Sequence, residues 1–213
     1  MKLVVSMVMV LLMAASSAEA QICGGRPSFR DGPFQVGIGA SFTDGARGVE
    51  GTFAGGGESL FAGVGLSVTN FTDADVRSTG VNAFAGAEFA TDRRNKVLLC
   101  PVARVGFGTG PDVGPVDVST AFVQGGGSIG VIASDNDGMM VVPFFGLSVV
   151  YDRVMTDFGG VEDSFSDTGG IADLGVGLVF NRTVGITPLI SVPFSTGGSD
   201  VIFTLKFSFN FGK

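Results

Sequence analysis

Few side chains in this sequence have the type and spacing to do chemistry. Lys206 and Ser208 stand two residues apart, the spacing that puts an amine base and a hydroxyl nucleophile on one face of a strand. Nothing else sets Ser208 apart as a nucleophile. The 213 residues include no His, which excludes a Ser-His-Asp triad, an HExxH zinc site and an imidazole pH switch. Asp135-Asn136-Asp137-Gly138 has the form of a calcium-loop opening, but the later ligands and the closing glutamate are missing, so a tight hairpin turn is the simpler reading. Asp152, Asp157, Glu162, Asp163 and Asp167 read as a solvated acidic loop running to Gly170, with a bound divalent cation as the alternative. Gly106, Gly108 and Gly110 match neither GxGxxG nor the Walker pattern. No catalytic residue, metal site or cofactor is expected.

The remaining charged residues form a pattern of a different kind. The chain carries 13 Lys and Arg against 20 Asp and Glu, a net charge of −7, which argues against a polyphosphate partner such as nucleic acid. Glu50, Glu88, Arg104, Asp173 and Lys206, together with Gln35, fall on the polar phase of their segments, and the apolar phase carries almost no charge. They predict either a salt-bridge network filling a narrow interior or the lining of a pore constriction.

Positioning these charges requires strands. Thirty-five Gly, 20 Phe and 45% hydrophobic residues suit pleated surfaces better than helices. Period-two alternation runs through Phe34, Val36, Ile38, Ala40 and Phe42, through Leu60 to Thr69 and through Val81 to Phe89, although Phe61 and Phe84 interrupt the polar face, and it is cleanest in Val201 to Phe211. Turn signals at Asp44-Gly45, Gly55 to Glu58, Phe71 to Asp75, Thr91 to Lys96, Gly110 to Pro115, Ser134 to Gly138, Asp157 to Gly170, Asn181-Arg182 and Ser195 to Asp200 divide the chain into ten strands. Eight is the alternative if Arg47 to Ala54 is no strand. Gly125-Gly126-Gly127 predicts a bulge or bend.

A soluble barrel would bury the apolar phase and show a Lys- and Glu-rich face to water. Here the second face is crowded with Gly and poor in charge, which suits a narrow lumen with the apolar phase in lipid. Residues 1–20, an apolar run ending in Ala18-Glu19-Ala20, read as a secretory signal, residues 21–33 as a periplasmic segment, and residues 34–213 as the barrel. With both ends periplasmic, the short turns lie inside and the longer loops outside. Export permits a Cys23 to Cys100 disulfide, with two separate thiols as the alternative. The topology brings Cys100 to the periplasmic start of a strand, within reach of Cys23, where a bridge would tie the N-terminal segment across the barrel mouth.

Over essentially its whole mature length the chain resembles the small bacterial outer-membrane barrels of the OmpA/OmpX type. The resemblance implies an all-β, antiparallel, up-and-down transmembrane barrel in the outer membrane, a monomer in contact with outer-membrane lipids. It also implies that Phe203, Leu205, Phe207, Phe209 and Phe211 form a signal to the barrel-assembly machinery, although Gly212 and Lys213 follow the last aromatic where the family ends on Phe. The aromatic girdles fall to Phe34, Phe42, Phe71, Phe89, Phe194 and Tyr151. The outer-membrane proteases and lipid A deacylases of similar shape use a His that this sequence lacks. The expected role is structural or surface-interacting and non-enzymatic, with no extracellular ligand assigned. A narrow pore for small solutes and a secreted soluble barrel binding an apolar ligand are the alternatives.

Overall fold

Alternation of branched or aromatic residues with Gly, Ser and Thr turns the chain into one continuous antiparallel sheet. The computed structural model describes residues 23–57, 59–72, 76–90, 96–110, 116–136, 138–194 and 201–212; the expected signal at residues 1–20 and Asp137 of the Asp135 to Gly138 turn lie outside these. A short turn of 3-10 helix spans Cys23–Gly25. The strands follow as β1 (Phe34–Thr43), β2 (Ala46–Gly56), β3 (Leu60–Phe71), β4 (Val76–Ala87), β5 (Phe89–Ala90), β6 (Val97–Thr109), β7 (Val116–Val131), β8 (Ser134–Asn136), β9 (Met139–Phe158), β10 (Val161–Phe180), β11 (Val184–Phe194) and β12 (Ile202–Phe211).

Each long strand pairs with its neighbour in sequence, and β1 pairs with β12, so the sheet closes into a barrel of ten long strands. Closure leaves no long open edge within the wall. The Arg47 to Ala54 segment is a strand, β2, paired on both sides. The two short strands are extensions. β5 continues β4 after a break at Glu88, opposite Pro101 and Cys100 of β6, where Pro101 has no N–H to give the ladder. β8 folds back on the start of β9, so the Ser134 to Gly138 turn contains a small hairpin.

Two sequence expectations are corrected. Gly125-Gly126-Gly127 makes no bulge, because its register with β6 and β9 runs through unbroken. The segment expected to be a long acidic loop is instead the upper half of a hairpin. β9 and β10 are 20 residues each and meet at Gly159-Gly160, both at positive φ, the pattern of a two-residue primed turn that only residues without Cβ strain accept readily. Asp157 Oδ1 accepts a hydrogen bond from the Gly160 N–H at 2.8 Å and fixes the turn. Among the described residues, 161–169 of β10 pair with β9 alone, and β9 also carries β7 up to Val116, so three strands leave the barrel as a tongue.

The two phases separate as the sequence predicts. Phe34, Val36, Ile38, Phe53, Leu66, Val81, Val105, Phe107, Leu147, Val149, Leu174, Phe207 and Phe209 are exposed on the outside, where they meet lipid. This placement is opposite to what a soluble barrel with an apolar interior requires. Inside, apolar side chains cluster at the end of the barrel where β1 begins and β12 ends. Leu98, Met140, Val142 and Val179 form one group, and Cys23, Phe29, Ala54, Phe61, Phe84 and Cys100 form another.

Candidate functional site

The second cluster is the floor of the lumen, and it is built by residues 23–33 entering the barrel. Cys23 and Cys100 form a disulfide with Cα atoms 5.5 Å apart, so the chain is stapled to the start of β6. Beyond the staple several of its residues find wall partners. Gly25, at φ 73°, lies so close to Gly177 of β10 that a Cβ on Gly25 would sit 2.6 Å from the Gly177 Cα; only glycine at both positions permits this. Thr187 Oγ1 donates to the Gly25 carbonyl at 2.9 Å, Gln35 Nε2 to the Pro27 carbonyl at 3.1 Å, and Asn210 Nδ2 to the Ser28 carbonyl at 2.6 Å. Gln35 Nε2 also donates to Asn210 Oδ1 at 2.7 Å, which joins the first and last strands beneath the inserted segment. In this way backbone carbonyls that enter a low-dielectric lumen are satisfied.

Phe29 then closes the floor. It stacks on Phe61 with ring centroids 5.1 Å apart, and Phe61 leans on Phe84 at 6.5 Å. Phe61 and Phe84 are the two residues that interrupt the polar face in the sequence, and this contact is their reason. Glycines opposite them leave the space: a Cβ at Gly63 would meet Phe84, and one at Gly86 would meet Phe61. The guanidinium of Arg26 lies 6.0 Å and that of Arg104 lies 5.8 Å from the centre of the Phe84 ring, within cation–π range.

Each lumen charge expected from the sequence faces inward, and the structure divides them between two levels. Glu88 lies at the floor, accepting a hydrogen bond from Ser28 Oγ at 2.8 Å. Glu50 and Arg104 form an ion pair at 3.3 Å, and Asn82 Nδ2 also donates to Glu50 at 3.2 Å. Asp173 accepts from Ser191 Oγ. Lys206 and Asp173 line one cavity of about 180 Å³ with Arg26, Arg104, Gln124 and Ser148, immediately above the disulfide. Toward the end of the barrel opposite the disulfide a second cavity of about 530 Å³ is walled by Ser41, Ser67, Thr69, Ser78 and Thr120 and shares Arg104 with the first. The lumen is a polar vestibule that ends on a plug.

The sequence reading missed Arg26, Ser28, Phe29, Thr187 and Asn210. The interrupted alternation at Phe61 and Phe84 was the signal for an apolar partner inside. Among the girdle residues, Phe34, Phe42, Phe194 and Tyr151 are exposed on the outer face, whereas Phe71 falls on the interior phase and lines the vestibule. Phe203, Leu205, Phe207, Phe209 and Phe211 all point outward; Phe211 packs on Phe34 at 5.8 Å and on Phe209 at 6.3 Å. The acidic residues of the tongue do not converge: among the described residues no group of three carboxylates is placed to hold a metal ion.

A closed antiparallel barrel with an apolar exterior and a polar interior is the architecture of outer-membrane proteins, and this chain is such a barrel. No protein-family model and no curated protein sequence matches it. Among solved structures it is similar to a bacterial polysaccharide outer membrane secretin, at 10% identity and a TM-score of 0.47, over 78% of this chain and 57% of that one. It is also similar to the attachment invasion locus protein Ail of Yersinia pestis, at 10% identity and a TM-score of 0.42, over 83% of this chain and 96% of that one. A third is LpxR from Salmonella typhimurium, at 8% identity and a TM-score of 0.45, over 83% of this chain and all of that one.

Proposed function

We propose that the chain is a non-enzymatic, non-conducting barrel of the bacterial outer membrane whose role is to hold the β7–β9–β10 tongue at the cell surface for interaction. The observation that carries this reading is the plug. Residues 23–33 occupy the periplasmic mouth, are tied by a disulfide, and bury Phe29 between wall residues, so a solute entering the vestibule meets a packed floor. The charges above that floor serve as the internal network that sets the lumen's shape. Catalysis by Ser208 is disfavoured by its position, since it is buried and stands with Pro27 of the plug against Gly185. The tongue supplies the surface: Phe158, Val161 and Phe165 are exposed among Asp157, Glu162 and Asp163 near its tip.

The test is planar-bilayer recording on the oxidised protein, after migration on an unboiled gel has established the folded barrel. Conductance no different from protein-free bilayers is expected. Regular steps from the oxidised protein would overturn the plugged reading in favour of a narrow pore.

A further inference from the structure

The outer face of the barrel carries charge at few points. Among the described residues, the outward phase of the strands holds Arg47, Arg77, Asp117, Arg153, Asp157 and Glu162. Asp117, Asp157 and Glu162 stand in one cross-strand row near the tip of the tongue, and Arg153 donates to Ser164 Oγ at 3.0 Å. Arg47 and Arg77 are placed differently. Arg47 on β2 pairs with Asn70 on β3, and Asn70 pairs with Arg77 on β4, so an amide sits between two guanidinium-bearing side chains. All three residues are exposed on the outer face. Facing residues in a sheet have Cβ atoms about 5 Å apart, so the arginines begin roughly 10 Å from each other and can close on one group between them.

Their height on the barrel points to that group. The same row continues through Phe42 and Phe203, both exposed, and the next outward positions toward the periplasm are Val49 on β2 and Val68 on β3, followed by Leu66 and Val81. The arginines therefore mark the extracellular limit of the apolar band, where acyl chains give way to headgroups. Neither guanidinium makes an ion pair or hydrogen bond with another described residue. Two cations flanking one amide repel unless an anion lies between them. A phosphate fits: its oxygens accept from two guanidinium forks, and the Asn70 amide N–H₂ adds a further donor. Of the acids on the outward phase, Asp117, Asp157 and Glu162 lie farther out on the tongue, and Asp44, exposed in the β1–β2 turn beside Arg47, makes no ion pair with a described residue.

We propose that Arg47, Asn70 and Arg77 form a docking site for the phosphate of an outer-leaflet glycolipid, whose acyl chains lie along Phe42, Phe203, Val49 and Leu66. The proposal rests on the barrel spanning the outer membrane. Its test uses the purified barrel in detergent micelles and two probes, lipid A with both phosphates and the same lipid A dephosphorylated, with binding read by native mass spectrometry. The wild type is expected to prefer the phosphorylated lipid at least tenfold. R47Q/R77Q loses that preference, R47K/R77K keeps part of it, and R153Q keeps all of it. An equal preference in R47Q/R77Q, or none in the wild type, would overturn the site. Displacement of the lipid by an equal concentration of inorganic phosphate would overturn the lipid as its occupant. Heat-shifted migration of each variant separates these results from failure of the barrel itself: a wild type that shows no shift would sink the membrane reading, and R47K/R77K keeps the site testable if the glutamine variant does not fold.

Discussion

At the scale of single residues, the lumen works because small wall residues and large plug residues are placed against each other. Gly177 is the sharpest case, since its neighbour across the gap is backbone, which cannot rotate away. Gly177→Val should therefore expel the Gly25 segment while leaving the strand ladder intact, as Val favours strands. Arg26 and Arg30 then become accessible. Trypsin should trim the variant at one or both, seen by mass after reduction, and should leave the wild-type plug whole under the same conditions. A variant as resistant as the wild type would show that the wall yields instead. Phe29→Ala acts on the same floor by removing the ring stacked on Phe61. Large-to-small changes of this kind cost about 3–5 kcal/mol in a packed core, so the midpoint of denaturant unfolding in detergent should fall. The Glu50–Arg104 pair is half-exposed to the lumen and contributes less; its value is in keeping each charge partnered.

At the scale of elements, the tongue is the part of the fold that the membrane does not demand. β1 and β12 cross with ten residues each, whereas β9 and β10 have 20, an excess worth about 30 Å of strand at about 3.3 Å per residue. Among the described residues, 161–169 pair with β9 alone, so shortening the hairpin takes from the closed wall only the β9 pairing of Ser119, Thr120 and Ala121, which β6 still holds. Replacing residues 153–167 with a two-residue Asn-Gly turn should leave heat-shifted migration and the disulfide unchanged; loss of the shift would mean that the tongue is needed for assembly. The same element shows where the sequence is legible and where it is not. The ten strands, their inward phase and the Cys23–Cys100 reach could be read because a half-buried strand must alternate and a turn must carry Gly, Asn or Asp. The tongue could not, because outside lipid both faces meet water, alternation loses its cause, and acidic side chains read as loop. Gly159-Gly160 between two β-forming runs was the remaining clue, and it requires the turn geometry to interpret. That the N-terminal segment is tied across the mouth was legible from Cys23 and Cys100, but what it packs on was not: its contacts join Phe29 to Phe61 and Ser28 to Asn210 across long sequence separations, which no local pattern encodes.

At the scale of the whole molecule, the plug has two kinds of restraint, and they should separate experimentally. The disulfide closes a loop with a sequence separation of 77, for which the loop-closure model gives about 4–5 kcal/mol at 25 °C, felt through the unfolded chain. The non-covalent restraints act in the folded state: Thr187 on Gly25, Gln35 on Pro27, Asn210 and Glu88 on Ser28, and Phe61 on Phe29. Removing the covalent tie therefore lowers the stability of the barrel without vacating its mouth. C23S/C100S is expected to unfold at lower denaturant than the oxidised wild type, yet to give a bilayer as silent as the wild type's. Deleting residues 23–33 behaves in the opposite way at the mouth. It takes the phenyl ring, Arg26 and the satisfied carbonyls out together, leaving Phe61, Phe84 and Glu88 facing water, and conductance steps should appear wherever the deleted protein still shows the heat shift. If reduction alone produced steps, the disulfide would be the principal lock and the hydrogen-bonded floor secondary. If the folded deletion remained silent, the closure would belong to the wall itself, to Leu98, Met140, Val142 and Val179, which fill the neighbouring part of the same end of the barrel.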